Sequence, residues 1–218
     1  MQNLHERKLH FCEVMVVYMI SAIFDRRSIR KFSDQPISKE DMIDIIQSGM
    51  KAPSSKNRQP WNYIVIEGKA KDEMIKAFCL GVAREEQGND ENVLLPQCKQ
   101  HIAGAKNTIA IMMEAPVILF VVNTLGKNIM EPMTPEEHIY EICNIQSIGA
   151  SIQNMLLAAT EKGIGSLWIC DIYFAYAELC QWLHCDGQMV AAIAFGYPKE
   201  SPKERPRKQI EDIVMWRH

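Results

Sequence analysis

The stretch that most limits how this 218-residue chain can fold begins at Thr134-Pro135-Glu136-Glu137. A threonine N-cap, proline at the first helical position and glutamate at the capping-box position together predict a helix start. Gly163 is a natural C-terminal stop. A helix over that span, at about 1.5 Å per residue, is on the order of 40 Å long and can cross a small domain. Residues 148–159 in its middle carry little charge and several small side chains, which predicts burial on nearly all sides. Such a helix needs other elements to cover it.

The covering elements can be read from period and punctuation. Residues 62–66 read as a strand rich in β-branched and aromatic side chains, stopped by Glu67-Gly68. Residues 115–122 are a continuous apolar run, which suits a strand covered on both faces. Residues 167–170 read as a short strand, and residues 188–198 as a strand closed by a Gly and Pro turn. Ser38, with Asp41 three residues on, caps a helix whose Met42, Ile45 and Ile46 share a face until 49–53 break the pattern. Further helices are predicted over 71–80, within 97–113 and over 178–183. Residues 81–92 read as a charged, glycine-punctuated, mobile connection, and residues 123–133 as a loop.

At the N-terminus, residues 11–24 are largely apolar, but Glu13 interrupts them, and a membrane span needs roughly 20 apolar residues. Glu6 and Glu13, with no small-residue cleavage site after them, argue against a signal peptide. Residues 14–24 are predicted as the first buried helix. A start at Met19, with 1–18 as an extension, is equally open. The remainder, 19–218, reads as one domain.

Composition sets the outer limits. A chain with 47% apolar and 23% charged residues and a formal charge of -3 is an ordinary globular protein with no basic stripe for nucleic acid. Its seven cysteines form no Cys-x-x-Cys and no Cys/His quartet, so no metal site is expected and a reduced, cytoplasmic setting fits best. There is no internal repeat.

Against that neutral background three local features stand out. Arg26-Arg27-Ser28-Ile29-Arg30-Lys31-Phe32 packs four cations and a hydroxyl into seven residues. If the segment is extended, Arg26, Ser28 and Arg30 share one face and can cradle a phosphate; a solvated basic edge is the other reading. The loop from Ala52 to Trp61 is bounded by two prolines and holds Pro53, Ser54, Ser55, Lys56, Asn57, Arg58 and Gln59, the makeup of a binding loop. The tail carries Arg205-Pro206-Arg207 within a basic run offering several registers, and then Ile210, Ile213, Val214 and Trp216, an apolar end expected to dock on a surface, another subunit's being one candidate.

Other signals explain less. Gly163-Ile164-Gly165 follows a helix and precedes a strand, the reverse of the dinucleotide fingerprint. His184-Cys185-Asp186 reads as a turn after a helix. Ser54-Ser55 lacks a nucleophile elbow, and Asp90-Glu91 reads as solvated surface.

Taken in order from about Ile20 to the end, these motifs resemble the nitroreductase family of FMN-dependent oxidoreductases. The resemblance rests on Arg26 to Arg30, Ala52 to Trp61, Gln153-Asn154 followed by Gly163-Ile164-Gly165-Ser166-Leu167-Trp168-Ile169, and Gly196-Tyr197-Pro198 with the basic tail. It implies an α+β fold with a central, mostly antiparallel sheet flanked by helices, in a homodimer with sites at the subunit interface and the tail docked on the partner. Arg26, Arg27, Ser28, Arg30, Arg205 and Arg207 would then hold the FMN phosphate and ribityl chain. Pro53, Ser54, Ser55 and Asn57 would reach the flavin from the partner subunit. Trp168, Ile169, Cys170 and Asp171 would lie along the ring, with a backbone N–H near Cys170 donating to its reactive nitrogen. Family members often have glycine where this chain has Cys170, whose expected role is packing. The implied activity is ping-pong transfer from NADH or NADPH to nitroaromatics, quinones or similar acceptors, with no catalytic side chain required, because the flavin carries the chemistry. Reductive dehalogenation on the same fold is the alternative within that class, and a flavin-binding module without turnover is the alternative outside it. Acceptor choice is expected to depend on residues 81–107.

Overall fold

A computed structural model of the chain describes residues 21–88 and 94–218. Four strands, β1 (Trp61–Ile66), β2 (Val117–Asn123), β3 (Gly165–Ile169) and β4 (Gln188–Gly196), form one antiparallel sheet in the order β1-β2-β4-β3. Both central strands, β2 and β4, are buried along their whole length, which is why residues 115–122 read as one apolar run. Alternate β2 residues feed two cores. Ile118 and Phe120 join the one beneath α3 (Ala70–Gln87), α4 (Ile102–Glu114) and α6 (Tyr176–Leu183). Val117, Leu119 and Val121 join the one beneath α2 (Lys39–Met50) and α5 (Pro135–Glu161). The result is a helix–sheet–helix sandwich.

The long helix starts as its sequence predicts. Thr134 Oγ1 accepts from Glu137 N–H, and Glu137 Oε2 accepts from Thr134 N–H at 2.7 Å. Ile148, Ile152 and Met155 are fully buried against the sheet. No residue of the predicted buried span 148–159 is exposed, whereas Ile139 and Ile142, nearer the start of α5, are exposed.

Two expectations change. The connection predicted over 81–92 is in large part helix: α3 continues through Gly81 to Gln87 and stops at Gly88, whose φ is 68°. Gly81 is there because α3 crosses the chain at Ala175, where a Cβ on Gly81 would lie 2.3 Å from the Ala175 Cα. Two of the charges in that connection, Arg84 and Glu85, are satisfied within the protein. Glu85 is 1% exposed and accepts from Arg84 Nη1 at 2.9 Å and from the Leu94 and Leu95 N–H groups at 2.8 and 3.1 Å. Arg84 also pairs with Glu178 at 2.7 Å. Asp90 and Glu91 lie outside the described residues.

The second change concerns the predicted first helix. Its described part, α1 (Ser21–Asp25), buries Ala22 but exposes Ile23 and Phe24; its earlier residues, and the 1–18 extension, lie outside the described residues. Among the described residues no helix is long and apolar enough to cross a membrane, and no group of side chains could hold a metal.

Candidate functional site

The basic stretch 26–32 is extended but pairs only at isolated points, and its apolar residues decide where it lies. Ile29 and Phe32 are buried, which anchors the segment and leaves its basic neighbours at the surface. Ser28 bridges to Ser166 on β3, Ile29 N–H donates to Ser166 O at 3.0 Å, and Phe32 bridges to Pro198 just after β4. Gly165 makes this docking possible: a Cβ there would sit 2.8 Å from Ile29 Cγ1. The Gly-x-Gly that looked like a weak phosphate loop is thus a floor for Ile29.

The same ribbon brings in the tail. Ser33 N–H donates to Tyr197 O at 2.8 Å, Lys199 N–H to Lys31 O at 2.9 Å, and Arg30 N–H to Glu200 Oε1 at 2.5 Å. Residues 202–207 are thereby led back across the basic stretch. Together they line a cavity of about 280 Å³, walled by Arg26, Arg27, Ser28 and Arg30 on one side and by Pro202, Lys203, Glu204, Arg205 and Arg207 on the other. All six residues expected from the resemblance to hold a phosphate line this cavity, both tail arginines included. Lys203 and Glu204 belong to the same tail run as the arginines. They are part of the wall because their neighbours are.

The charge is unbalanced by design of the lining: six cations face a single carboxylate. Glu204 lies 3.7 Å from Arg27, while Arg30 and Arg207 donate to main-chain carbonyls, at 3.2 Å to Ser28 O and 3.0 Å to Arg205 O. Burial, then the neighbouring Arg207 and Arg27 guanidiniums, hold Arg26 below the usual arginine range. A cluster of guanidiniums that press on one another is stabilised by whatever dianion enters among them.

The loop at 53–59 is shaped differently. Lys56, Asn57 and Gln59 all have positive φ, at 53°, 54° and 48°, a conformation that costs non-glycine residues of order 1–3 kcal/mol each and gathers at functional sites. It is held by Ser55 N–H donating to Ser147 Oγ at 3.2 Å, by Gln59 N–H donating to Ser54 Oγ at 3.0 Å, and by Arg58 stacked 4.3 Å from the centre of the Tyr140 ring. Lys56 lies over the same ring at 5.8 Å. Pro53 precedes it, and the turn is closed by Asn57 N–H donating to Ser54 O at 2.9 Å and Arg58 N–H donating to Ser55 O at 3.1 Å.

Of the four residues expected beside a flavin ring, two present side chains and two do not. Trp168 is 39% exposed on the outer strand β3, with Cη2 3.8 Å from where a Cβ on Gly149 would sit. Cys170 is exposed just beyond β3, and partial enclosure, then the Asp171 carboxylate, push its thiol above the usual range. Ile169 is 3% exposed and belongs to the core. Asp171 turns away to accept from Thr108 Oγ1 on α4 at 2.5 Å. Asn154, in the motif that precedes Gly163, donates from Nδ2 to Ser48 O at 3.2 Å and ties α5 to α2.

Trp168 and the loop occupy one level of α5 but opposite sides of it. Their contacts, Gly149 and Ser147, are two residues apart, a rotation of about 200° around a helix with 3.6 residues per turn. The cradle lies near the other end, where Arg27, Thr160 and Gly163 line a neighbouring cavity. Between Ser147 and Thr160 the helix rises about 20 Å.

The fold and cradle define an α+β protein with a polycationic cavity between residues 26–30 and 202–207. The nitroreductase family model matches residues 23–197, and the chain belongs to that family. It is 27% identical over 193 residues to YfhC of Bacillus subtilis, provisionally named an NAD(P)H nitroreductase, covering 87% of this chain and 89% of that protein. It is 25% identical over 187 residues to an iodotyrosine deiodinase of Thermotoga neapolitana, covering 85% and 91%. A solved FMN complex from Desulfovibrio desulfuricans, provisionally a nitroreductase, superposes with a TM-score of 0.65 at 25% identity, covering 91% of this chain and 96% of that one.

Proposed function

We propose that the protein is a homodimeric FMN-dependent oxidoreductase that uses NAD(P)H to reduce nitroaromatics, quinones or similar electron-poor acceptors. The observation that carries this reading is the meeting of Arg26, Arg27, Ser28 and Arg30 with Arg205 and Arg207 around one cavity. Its charge fits a phosphate dianion, and a 280 Å³ hollow suits a phosphate and part of a polyol chain rather than a whole flavin. The ring would extend along β3 over Trp168 and Cys170. The chemistry supplied by the cofactor when bound is acceptance of hydride from a nicotinamide and its delivery to a second substrate in the same place, a ping-pong sequence. The chain's own part is to bind and orient. The guanidiniums neutralise the phosphate, Trp168 gives a flat wall, and the backbone near Cys170 offers a donor. Pro53, Ser54, Ser55 and Asn57 enter from the partner subunit, because within one chain α5 stands between this loop and Trp168.

Dimerisation is supported by apolar surface that a single chain leaves uncovered. Ile139 and Ile142 project from α5 beside the loop, and Ile213, Met215 and Trp216 are exposed along the tail, Trp216 at 76%. An apolar groove of about 600 Å³ runs along Met42, Ile43, Ile46 and Val65. Such surfaces mark interfaces; the tail is assigned to the partner.

The test is anaerobic. Purified dimer is expected to be yellow, to bleach on addition of NADH or NADPH, and to regain colour with a nitroaromatic or quinone. A colourless monomer that takes up no added FMN overturns the reading, and bound FMN that neither nicotinamide bleaches leaves a binding module. A halogenated phenol belongs in the acceptor set, because the deiodinase relative brings reductive dehalogenation into the same class; faster re-oxidation by it than by nitroaromatics would make dehalogenation the activity.

A further inference from the structure

Helix α6 ends in a turn that brings two cysteines together. Cys185 N–H donates to Cys180 O at 3.1 Å, and the chain reverses through His184, whose φ and ψ are both 49°. A 6→1 hydrogen bond across a left-handed residue is a Schellman ending, whose two terminal side chains normally meet as an apolar pair. Here both are thiols, and both are half-buried. The bond keeps their backbones close, and a disulfide needs Cα atoms about 4.4–6.8 Å apart. Cys185 Sγ donates to Gly187 O at 3.3 Å.

The thiols also act on each other. Cys180 stabilises the Cys185 thiolate and draws Cys185 down to about 6, against the opposing push of burial and Asp186. Cys180 is driven up by Cys185 and by burial, with Tyr176 beside it. The two thiols thus share one ionisation, with Cys185 the more acidic partner, as in reactive dithiols. Neither residue belongs to the cradle, the loop or the Trp168 wall.

We propose that Cys180 and Cys185 are a redox-active pair that closes to an intrachain disulfide when the protein meets a peroxide. The Cys185 thiolate attacks one peroxide oxygen, the O–O bond breaks, and sulfur becomes a sulfenic acid while the departing hydroxide takes a proton to leave as water. Cys180 sulfur then attacks that sulfur, the S–O bond breaks, and a second water carries off the Cys180 proton. Two thiols lose two electrons in all, and hydrogen peroxide becomes two waters. A thiol reductant reverses the bond.

Trypsin cuts after Lys162 and Lys199 and releases residues 163–199 as one peptide with Cys170, Cys180 and Cys185. After stoichiometric hydrogen peroxide, full-length wild-type protein is expected to yield this peptide short of two hydrogens, with Cys170 still alkylatable and the loss reversed by reductant. In Cys180→Ser the sulfenic acid has no resolving thiol, and Cys185 is expected to be trapped by dimedone, with labelling at least several-fold above wild type. A linkage involving Cys170, over-oxidation of Cys185 with no linkage, or unchanged thiols at 180 and 185 would overturn the proposal; the wild-type result stands even if the variant fails to fold.

Discussion

The cradle at 26–30 and 202–207 and the loop at 53–59 are both built on the same sheet and the same long helix, yet they stand in opposite conditions. The cradle is completed within one chain. Ile29 on Gly165 and Phe32 beside Pro198 hold it, and its charges face inward on one another. The loop is strained at Lys56, Asn57 and Gln59 and held by Ser147 and Tyr140, but it faces away from the chain's own Trp168. A charge cluster can be assembled by hydrogen-bonded ribbons inside one subunit. Strain of this kind gathers at functional sites, and the use proposed for this loop is in the partner subunit's site.

That contrast can be broken most sharply by subunit mixing. Arg26→Ala damages the cradle, and Asn57→Gly removes the loop amide at a positive φ where glycine adds no strain. If cradle and loop come from different chains, heterodimers of the two variants contain one site with neither lesion and regain about half of wild-type turnover per dimer. If each site lies in one chain, every site keeps one lesion and nothing is regained.

Arg26→Ala by itself sharpens the cradle half. Losing one charge-assisted contact of about 1.5–3 kcal/mol should weaken FMN binding roughly ten- to a hundredfold, read by fluorescence titration. The cofactor-free protein should melt no lower than wild type, because Arg26 there is pressed by Arg207 and Arg27. A drop in melting temperature with unchanged FMN affinity would make Arg26 a structural residue.

The smallest effect concerns the loop end of α5. Lys127, 2.6 Å away, and then the Thr134 cap hold Glu137 down to about 2, from an ordinary 4.5. A depressed carboxylate contributes stability that is full above its unfolded value and is lost as pH falls through its folded one. Between about 4.5 and 2 the first turns of α5 should therefore loosen ahead of Glu161. Hydrogen exchange near Tyr140 should rise first, and Glu137→Gln should remove most of the difference. Simultaneous loosening of both ends would break the comparison.

Much of this was legible because it depends on local chemistry. The Thr134 capping box, the Ser38 cap, whose Oγ accepts from Asp41 N–H at 3.0 Å, and the doubly buried β2 follow from neighbouring residues. What was misread depended on distant ones. Gly81 read as punctuation in a charged, mobile connection, yet Ala175 packs against it, and within that connection Leu94, Leu95 and Glu178 satisfy Glu85 and Arg84. The bond between Asp171 and Thr108 is likewise a long-range contact that no short window announces.

The sequence by itself determined most of the elements, the identity of the basic residues and the family resemblance, because caps, periodicity and charge are properties of short windows. Only the tertiary structure decided that Arg26 and Arg207 share a cavity, that the loop and Trp168 lie on opposite sides of α5, and that Cys180 meets Cys185. Those facts depend on how ribbons and helices pack across the chain, and packing is set by shape at contacts between residues far apart in sequence or, at the end of α6, by a left-handed turn that composition does not announce.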